Sequence, residues 1–238
     1  RAAGPRAAAG PRGQLYLDFA LRARFAAVAK LKRTQRDLPM AAARVRLLRA
    51  VAENQCVVVA GDTGCGKSTQ VPQYLLRTGH TRIACTQPRR LSAIALCRRV
   101  AAETLDEYGD EVAYHIRFDS SKTHRTRILF LTEGLLVRQL LGDADLSQYD
   151  VVIVDEVHER HVSCDFLLGL LKAVLARRRD LKVVLMSATI NTELYSDYFG
   201  GCPVVTVPGR MYAVKVEYLP PKLSELRARP GGGGGGGG

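Results

Sequence analysis

The chain has 238 residues, 47% of them hydrophobic, and 35 Lys and Arg against 23 Asp and Glu give it a formal net charge of +12. That apolar content supports a buried core. No apolar run approaches the ~18 residues of a membrane span, and the Arg/Ala/Gly/Pro-rich start lacks the apolar segment of a secretory signal, so a soluble protein with no membrane partner is expected.

The charge is unevenly spread. Residues 1–50 carry twelve basic residues against Asp18 and Asp37, a net of +10, whereas residues 51–238 carry twenty-three against twenty-one, a net of +2. A basic arm suits phosphate backbones, and it equally suits a solvated extension. The six cysteines form no C-x-x-C pair and show no His/Cys ligand spacing. A reduced intracellular protein, cytoplasmic and/or nuclear, without structural zinc is therefore expected.

In chain order, residues 1–13 are low-complexity and 15–36 form a basic Ala/Leu-rich stretch compatible with a helix. Asp37-Leu38-Pro39 punctuates it, so 1–37 is taken as an N-terminal arm. Residues 41–54 predict an amphipathic helix with Val45, Leu48, Val51 and Ala52 on one face. Apolar runs follow at 56–60, 83–86, 128–132, 151–155 and 183–188. They alternate with helical patterns at 67–77, 91–108, 134–141 and 165–178. Near-continuous Val/Ile/Leu strands between helices predict an α/β fold, a mostly parallel sheet with helices on both faces. Segments 111–118, 204–207 and 214–218 predict additional or edge strands. The chain closes on Pro230 and eight glycines, and 223–238 is assigned to a flexible tail or truncation point, since polyglycine cannot pack a core.

The run Gly61-Asp62-Thr63-Gly64-Cys65-Gly66-Lys67-Ser68 lies between the first predicted strand and the helix beginning at Lys67. This is the G-x-x-x-x-G-K-[ST] phosphate loop in its strand–loop–helix setting. Glycines let backbone N–H groups wrap a phosphate, and the helix N-terminus adds positive potential. Lys67 is placed to reach the β/γ-phosphates, and the Ser68 hydroxyl to help hold Mg²⁺. Some ninety residues on, the strand 151–154 delivers Asp155 and Glu156 at its C-terminal end, where doubly wound sheets bind ligands. Asp155 is the candidate carboxylate beside Mg²⁺, and Glu156 is the candidate for orienting or deprotonating the attacking water. ATP, or another NTP, with Mg²⁺ is the expected ligand. Cys65 within the loop is a candidate oxidation-sensitive point.

Asp155-Glu156-Val157-His158-Glu159-Arg160 resembles motif II of the DEAH-box RNA helicases of superfamily two, with Val157 where the family usually has Ala. Thr86-Gln87-Pro88-Arg89-Arg90 resembles the family's motif Ia, and Thr132-Glu133-Gly134 its motif Ib, with Glu where Asp is commoner. Ser187-Ala188-Thr189 resembles motif III, and Val207-Pro208-Gly209-Arg210 resembles the exit from the first motor domain. Each string alone is weak; five in the family's order, each ending a predicted strand, are specific. The resemblance runs from about Leu38 to Tyr218 and, within the family, is closest to a member associated with mRNA surveillance.

The resemblance implies a RecA-like ATP-binding domain over 38–222. It implies that Gly61, Asp62, Thr63, Gly64, Cys65, Gly66, Lys67, Ser68 and Thr69 cradle the nucleotide and that Ser68, Asp155 and Glu156 lie at the metal. His158 would link that site to Ser187, Ala188 and Thr189, which couple hydrolysis to domain movement. Arg99 resembles the arginine that stacks on the base, and Arg89, Arg90, Arg117 and Thr132 resemble RNA-contacting positions. Such contacts suit sugar and phosphate and carry no sequence information. The resemblance also implies partners: RNA, a second RecA-like domain with arginine fingers, further C-terminal domains and a possible activating protein. No second-domain motif occurs in these residues, so the chain alone is expected to hydrolyse NTP barely. A non-catalytic RNA- or protein-binding platform is the alternative, and another phosphate-loop ATPase, such as a transporter subunit or kinase, is a third reading.

Overall fold

Each central apolar run becomes a strand of one eight-stranded sheet in the computed structural model, which describes residues 26, 29–104, 110–188 and 191–209. The strands are β1 (Cys56–Gly61), β2 (Ile83–Gln87), β3 (Val112–Ile116), β4 (Asp119–Ser120), β5 (Ile128–Thr132), β6 (Val151–Val154), β7 (Lys182–Ser187) and β8 (Val204–Val207). In space they run β4-β3-β5-β2-β6-β7-β1-β8. Every neighbouring pair is parallel except β3–β4. A helix α1 covers 29–37, followed by α2 (Pro39–Glu53), α3 (Lys67–Arg77), α4 (Arg90–Thr104), α5 (Glu133–Gly142), α6 (Val162–Arg177) and α7 (Thr192–Tyr198).

Side chains alternate across each strand, so one strand feeds two cores. Val57, Val59, Cys85, Ile153 and Val184 pack with Leu47 of α2, Val71 and Leu75 of α3 and Val100 of α4. Their alternates Val58, Ala84, Val152 and Leu185 pack on the other face with Leu136 of α5, Leu167 and Leu171 of α6 and Tyr195 of α7. Both faces being covered, the central strands need apolar residues at every position, which is why they show no polar alternation.

Register then sets the site. Ala60 pairs with Ser187, Val154 with both Leu185 and Thr86, and Gln87 with Thr132. The C-terminal ends of β1, β7, β6, β2 and β5 therefore form one continuous rim.

Several expectations are corrected. The buried stripe of α2 is Met40, Ala43, Leu47 and Val51, while Val45 is 79% exposed. The Met40 N–H donates to the Cys65 carbonyl at 3.1 Å, which fixes the helix phase from its first turn. The stretch 111–118 is not one strand: Arg117 and Phe118 turn the chain back into β4, with Phe118 at φ 69°. Helix α6 starts at Val162, with His161 extended before it. Helix α7 is absent from the periodicity reading because it is only seven residues long. The predicted strand 214–218 and the exit residue Arg210 lie outside the described residues.

Candidate nucleotide and nucleic-acid site

Residues 62–66 carry the chain from β1 to α3. Gly64 and Gly66 hold φ of 83° and 99°, the left-handed region that favours glycine. A Cβ on Gly66 would come 2.9 Å from Leu38 Cδ1, so the loop also has no room there. Lys67 opens α3 and is only 6% exposed. Its Nζ folds back over its own loop, donating to the carbonyls of Gly61 and, at 3.1 Å, of Asp62, with Cys65 Sγ 3.8 Å away. Cys65 itself is buried beneath the loop, which shields the thiol considered as an oxidation point.

Asp155 follows β6 and is fully buried. Gln87 Nε2 donates to its Oδ2 at 2.7 Å, and the Glu156 N–H donates to Oδ1 at 3.0 Å. Burial raises the Asp155 pKa above its ordinary value, against the opposing pull of hydrogen bonds from Ser68, Gln87 and the Glu156 N–H and of the Lys67 charge. Glu156 is also raised, first by burial and then by the Asp155 charge, while His158 and Lys67 act in the other direction. Its backbone sits at φ 56°, a strained conformation for a non-glycine residue.

After Glu156 a single 3₁₀ turn, Val157–Glu159, is pinned by the buried Tyr195 hydroxyl, which donates to the Val157 carbonyl at 2.7 Å. The turn brings His158 against β7: the Ala188 N–H donates to His158 Nδ1 at 3.2 Å. The same Nδ1 lies 3.4 Å from Glu156 Oε2. Ser187 Oγ is buried without a hydrogen-bond partner, as is Thr86 Oγ1 on the other side of β6. Thr189 lies outside the described residues.

A cleft of about 300 Å³ joins these parts. Gly64, Gly66, Lys67, Ser68, Thr69 and Glu156 line it together with Leu96, Arg99, Glu103, Leu38, Thr34 and Gln35. Arg99 Nε donates to Glu103 Oε1 at 2.6 Å. Glu103 Oε2 accepts from Gln35, Gln70 and Gln73 at 2.9, 2.7 and 2.8 Å. Burial of Glu103 opposes ionisation, but these hydrogen bonds together hold its pKa below the ordinary value. The sequence reading missed this cluster, and Gln87 as well. The only sequence signal was the i,i+4 spacing of Arg99 and Glu103 on α4.

Arg89 and Arg90 follow β2, Arg117 follows β3 and Thr132 ends β5, so the RNA candidates share the rim of three adjacent strands. The three arginines are exposed and Thr132 is partly so. Arg89 comes 3.7 Å from Glu159, an exposed pair of little energetic weight. The Arg117 guanidinium lies over the ring of Phe118, which is 91% exposed. A second cleft lined by Ser68, Gln87, Arg89, Glu156 and Glu159 runs from this rim to the phosphate loop.

The family described as DEAD/DEAH box helicase matches residues 43–196. The human protein named probable ATP-dependent RNA helicase DHX34 is 56% identical over 205 residues, 86% of this chain and 18% of that protein. Its mouse counterpart is 53% identical over 214 residues, 90% of this chain and 19% of that protein. The Arabidopsis thaliana DExH-box ATP-dependent RNA helicase DExH3 is 48% identical over 192 residues, covering 78% and 16%. The chain thus spans less than a fifth of the length of these relatives. With its mostly parallel sheet, phosphate loop and Asp-Glu-Val-His segment on one rim, the chain belongs to the DEAD/DEAH box helicase family and has its RecA-like α/β fold.

Proposed function

We propose that this chain is the first motor domain of an ATP-dependent RNA helicase, binding ATP or another NTP with Mg²⁺ and contacting RNA along the adjoining rim. What carries the reading is the convergence of Lys67, Ser68, Asp155 and Glu156: Lys67, Ser68 and Glu156 line one cleft, and Asp155 is buried directly before Glu156 at the end of β6.

In this proposal Lys67 exchanges its two carbonyl acceptors for phosphate oxygens. Ser68 Oγ and the Asp155 carboxylate are the hard oxygen donors that would hold Mg²⁺. No group of three or more His, Cys, Asp or Glu able to hold a metal occurs among the described residues. An ion of this kind binds through few protein oxygens and completes its shell with phosphate and water, so two donors would suffice. When bound, Mg²⁺ supplies neutralisation of charge developing between the β- and γ-phosphates. Glu156, with its raised pKa, accepts the proton of the attacking water. His158, hydrogen-bonded to the Ala188 N–H, carries changes at Glu156 towards Ser187 and Thr189. Arg89, Arg90, Arg117 and Thr132 bind sugar and phosphate without reading sequence.

Efficient turnover belongs to an assembly with a second RecA-like domain, whose arginine fingers are worth about 10³–10⁵ in rate. A further C-terminal part, an activating protein partner and a role in mRNA surveillance complete the proposal. An intracellular location, cytoplasmic or nuclear, goes with it: all six cysteines are free and buried. The test is titration of the chain with Mg·ADP. Wild type should bind and Lys67→Ala should lose at least about tenfold, or 1.4 kcal/mol. Equal binding by both would favour a non-catalytic platform.

A further inference from the structure

The cleft at the phosphate loop is lined by a buried carboxylate, Glu103, on which three helices meet. The cleft that holds Gly64, Lys67 and Ser68 is also lined by Leu38, Leu96 and Arg99, so a nucleoside attached to phosphates seated in the loop can extend along them. Two leucines and a guanidinium plane make a platform for a flat ring of any identity.

Arg99 is on the exposed side of α4, its side chain 51% accessible, and a free arginine there would sample many rotamers. Glu103, one turn on and with its side chain only 1% accessible, takes the Arg99 Nε on one oxygen. Its other oxygen gathers Gln70 and Gln73 from α3 and Gln35 from α1. Gln35 also reaches Gln73 Oε1 at 3.4 Å. Four donors on one buried carboxylate fix it, and a fixed carboxylate fixes the guanidinium. The same contacts hold α1 across the mouth of the cleft, where Thr34 and Gln35 line it.

We infer that Glu103 is a positioning residue of the nucleotide site, and that through Gln35 it makes α1 a wall of that site. The inference rests on the proposed nucleotide-binding function. Gln70 and Gln73 also donate to Thr69 Oγ1 at 3.1 Å and to the Thr69 carbonyl at 2.8 Å, whereas Arg99 and Gln35 act on the nucleoside alone; a loss confined to nucleoside binding distinguishes the cluster from a part that merely holds the domain together.

The experiment compares Mg·ADP with Mg·tripolyphosphate on the full chain by calorimetric titration, for wild type and Glu103→Gln, Gln35→Ala, Arg99→Ala and Glu103→Gln/Arg99→Ala. Glu103→Gln should weaken Mg·ADP about tenfold, as for loss of a charge-assisted hydrogen bond, and leave tripolyphosphate within about twofold. The double variant should lose less than the two single losses combined, because Glu103 acts in part through Arg99. Gln35→Ala should lose ADP affinity severalfold with the same selectivity, and it decides the matter alone if Glu103→Gln does not fold. Unchanged ADP affinity, equal losses for both ligands, or additive effects in the double variant would overturn the inference. A wild-type chain that binds neither ligand would instead overturn the nucleotide reading on which it rests.

Discussion

Glu156 concentrates the conflict between folding and function at the scale of single residues. Its folded pKa lies above the ordinary 4.5, because burial and the Asp155 charge disfavour the carboxylate. The folded state therefore holds this proton more tightly than the unfolded one. The stabilisation is complete below about pH 4.5 and is lost as pH rises through the higher folded value. At pH 7 the ionised side chain is a net cost, so Glu156→Gln should raise the thermal midpoint there and flatten its pH dependence between pH 4 and 7. The same variant should keep Mg·ADP binding and lose hydrolysis in an assembly with a second motor domain. A midpoint at pH 7 equal to or below that of wild type would count against this account of Glu156.

The residues that chemistry requires were legible from sequence: Lys67, Ser68, Asp155 and Glu156 stand in spaced motifs. Glu103, Gln87 and Gln35 were not. Gln87 stands inside the motif Ia string, but nothing there marks it as the partner of Asp155, and Glu103 and Gln35 stand in no motif; their contacts with Gln73, Asp155 and each other span 30 to 68 residues. Only folding brings them together.

Among the elements, the strongly periodic ones matched the expected positions, with α3 falling at 67–77 as read. Those set by local contacts did not. The phase of α2 follows the Met40–Cys65 hydrogen bond, and the hairpin at Arg117–Phe118 follows a left-handed residue that no propensity favours. The turn between β1 and α3 makes a direct test. Gly66→Ala places a methyl against Leu38 at a φ of 99°, which should cost on the order of 1–3 kcal/mol. Chemical denaturation should show that loss, and Mg·ADP affinity should fall with it. On the other side of the sheet, Leu171→Ala removes a fully buried side chain of α6 and should cost about 2–5 kcal/mol while leaving the site's geometry intact.

For the molecule as a whole, the distribution of charge takes on a different meaning once folded. Of the twelve basic residues in 1–50, seven (Lys30, Lys32, Arg33, Arg36, Arg44, Arg46 and Arg49) sit exposed on α1 and α2. Much of what reads in sequence as a basic arm is thus the cationic face of folded helices, and α1 reaches the nucleotide cleft. In the proposed function this chain supplies one side of a catalytic interface. The purified chain should turn over ATP at least about 10³-fold more slowly than a full-length relative under RNA stimulation, the share that arginine fingers contribute. A steady-state phosphate-release assay with and without single-stranded RNA measures this, and RNA-stimulated turnover comparable to the relative's would refute the need for a second domain.

The most direct measurement of the central claim is a crystal structure of the chain with Mg·ADP and beryllium fluoride. The account expects the β-phosphate within hydrogen-bonding reach of Lys67 Nζ, the Mg²⁺ on Ser68 Oγ with Asp155 beside it, and Glu156 facing the fluoride. A nucleotide bound anywhere else, or one seated in the loop with its metal out of reach of Asp155, would contradict it.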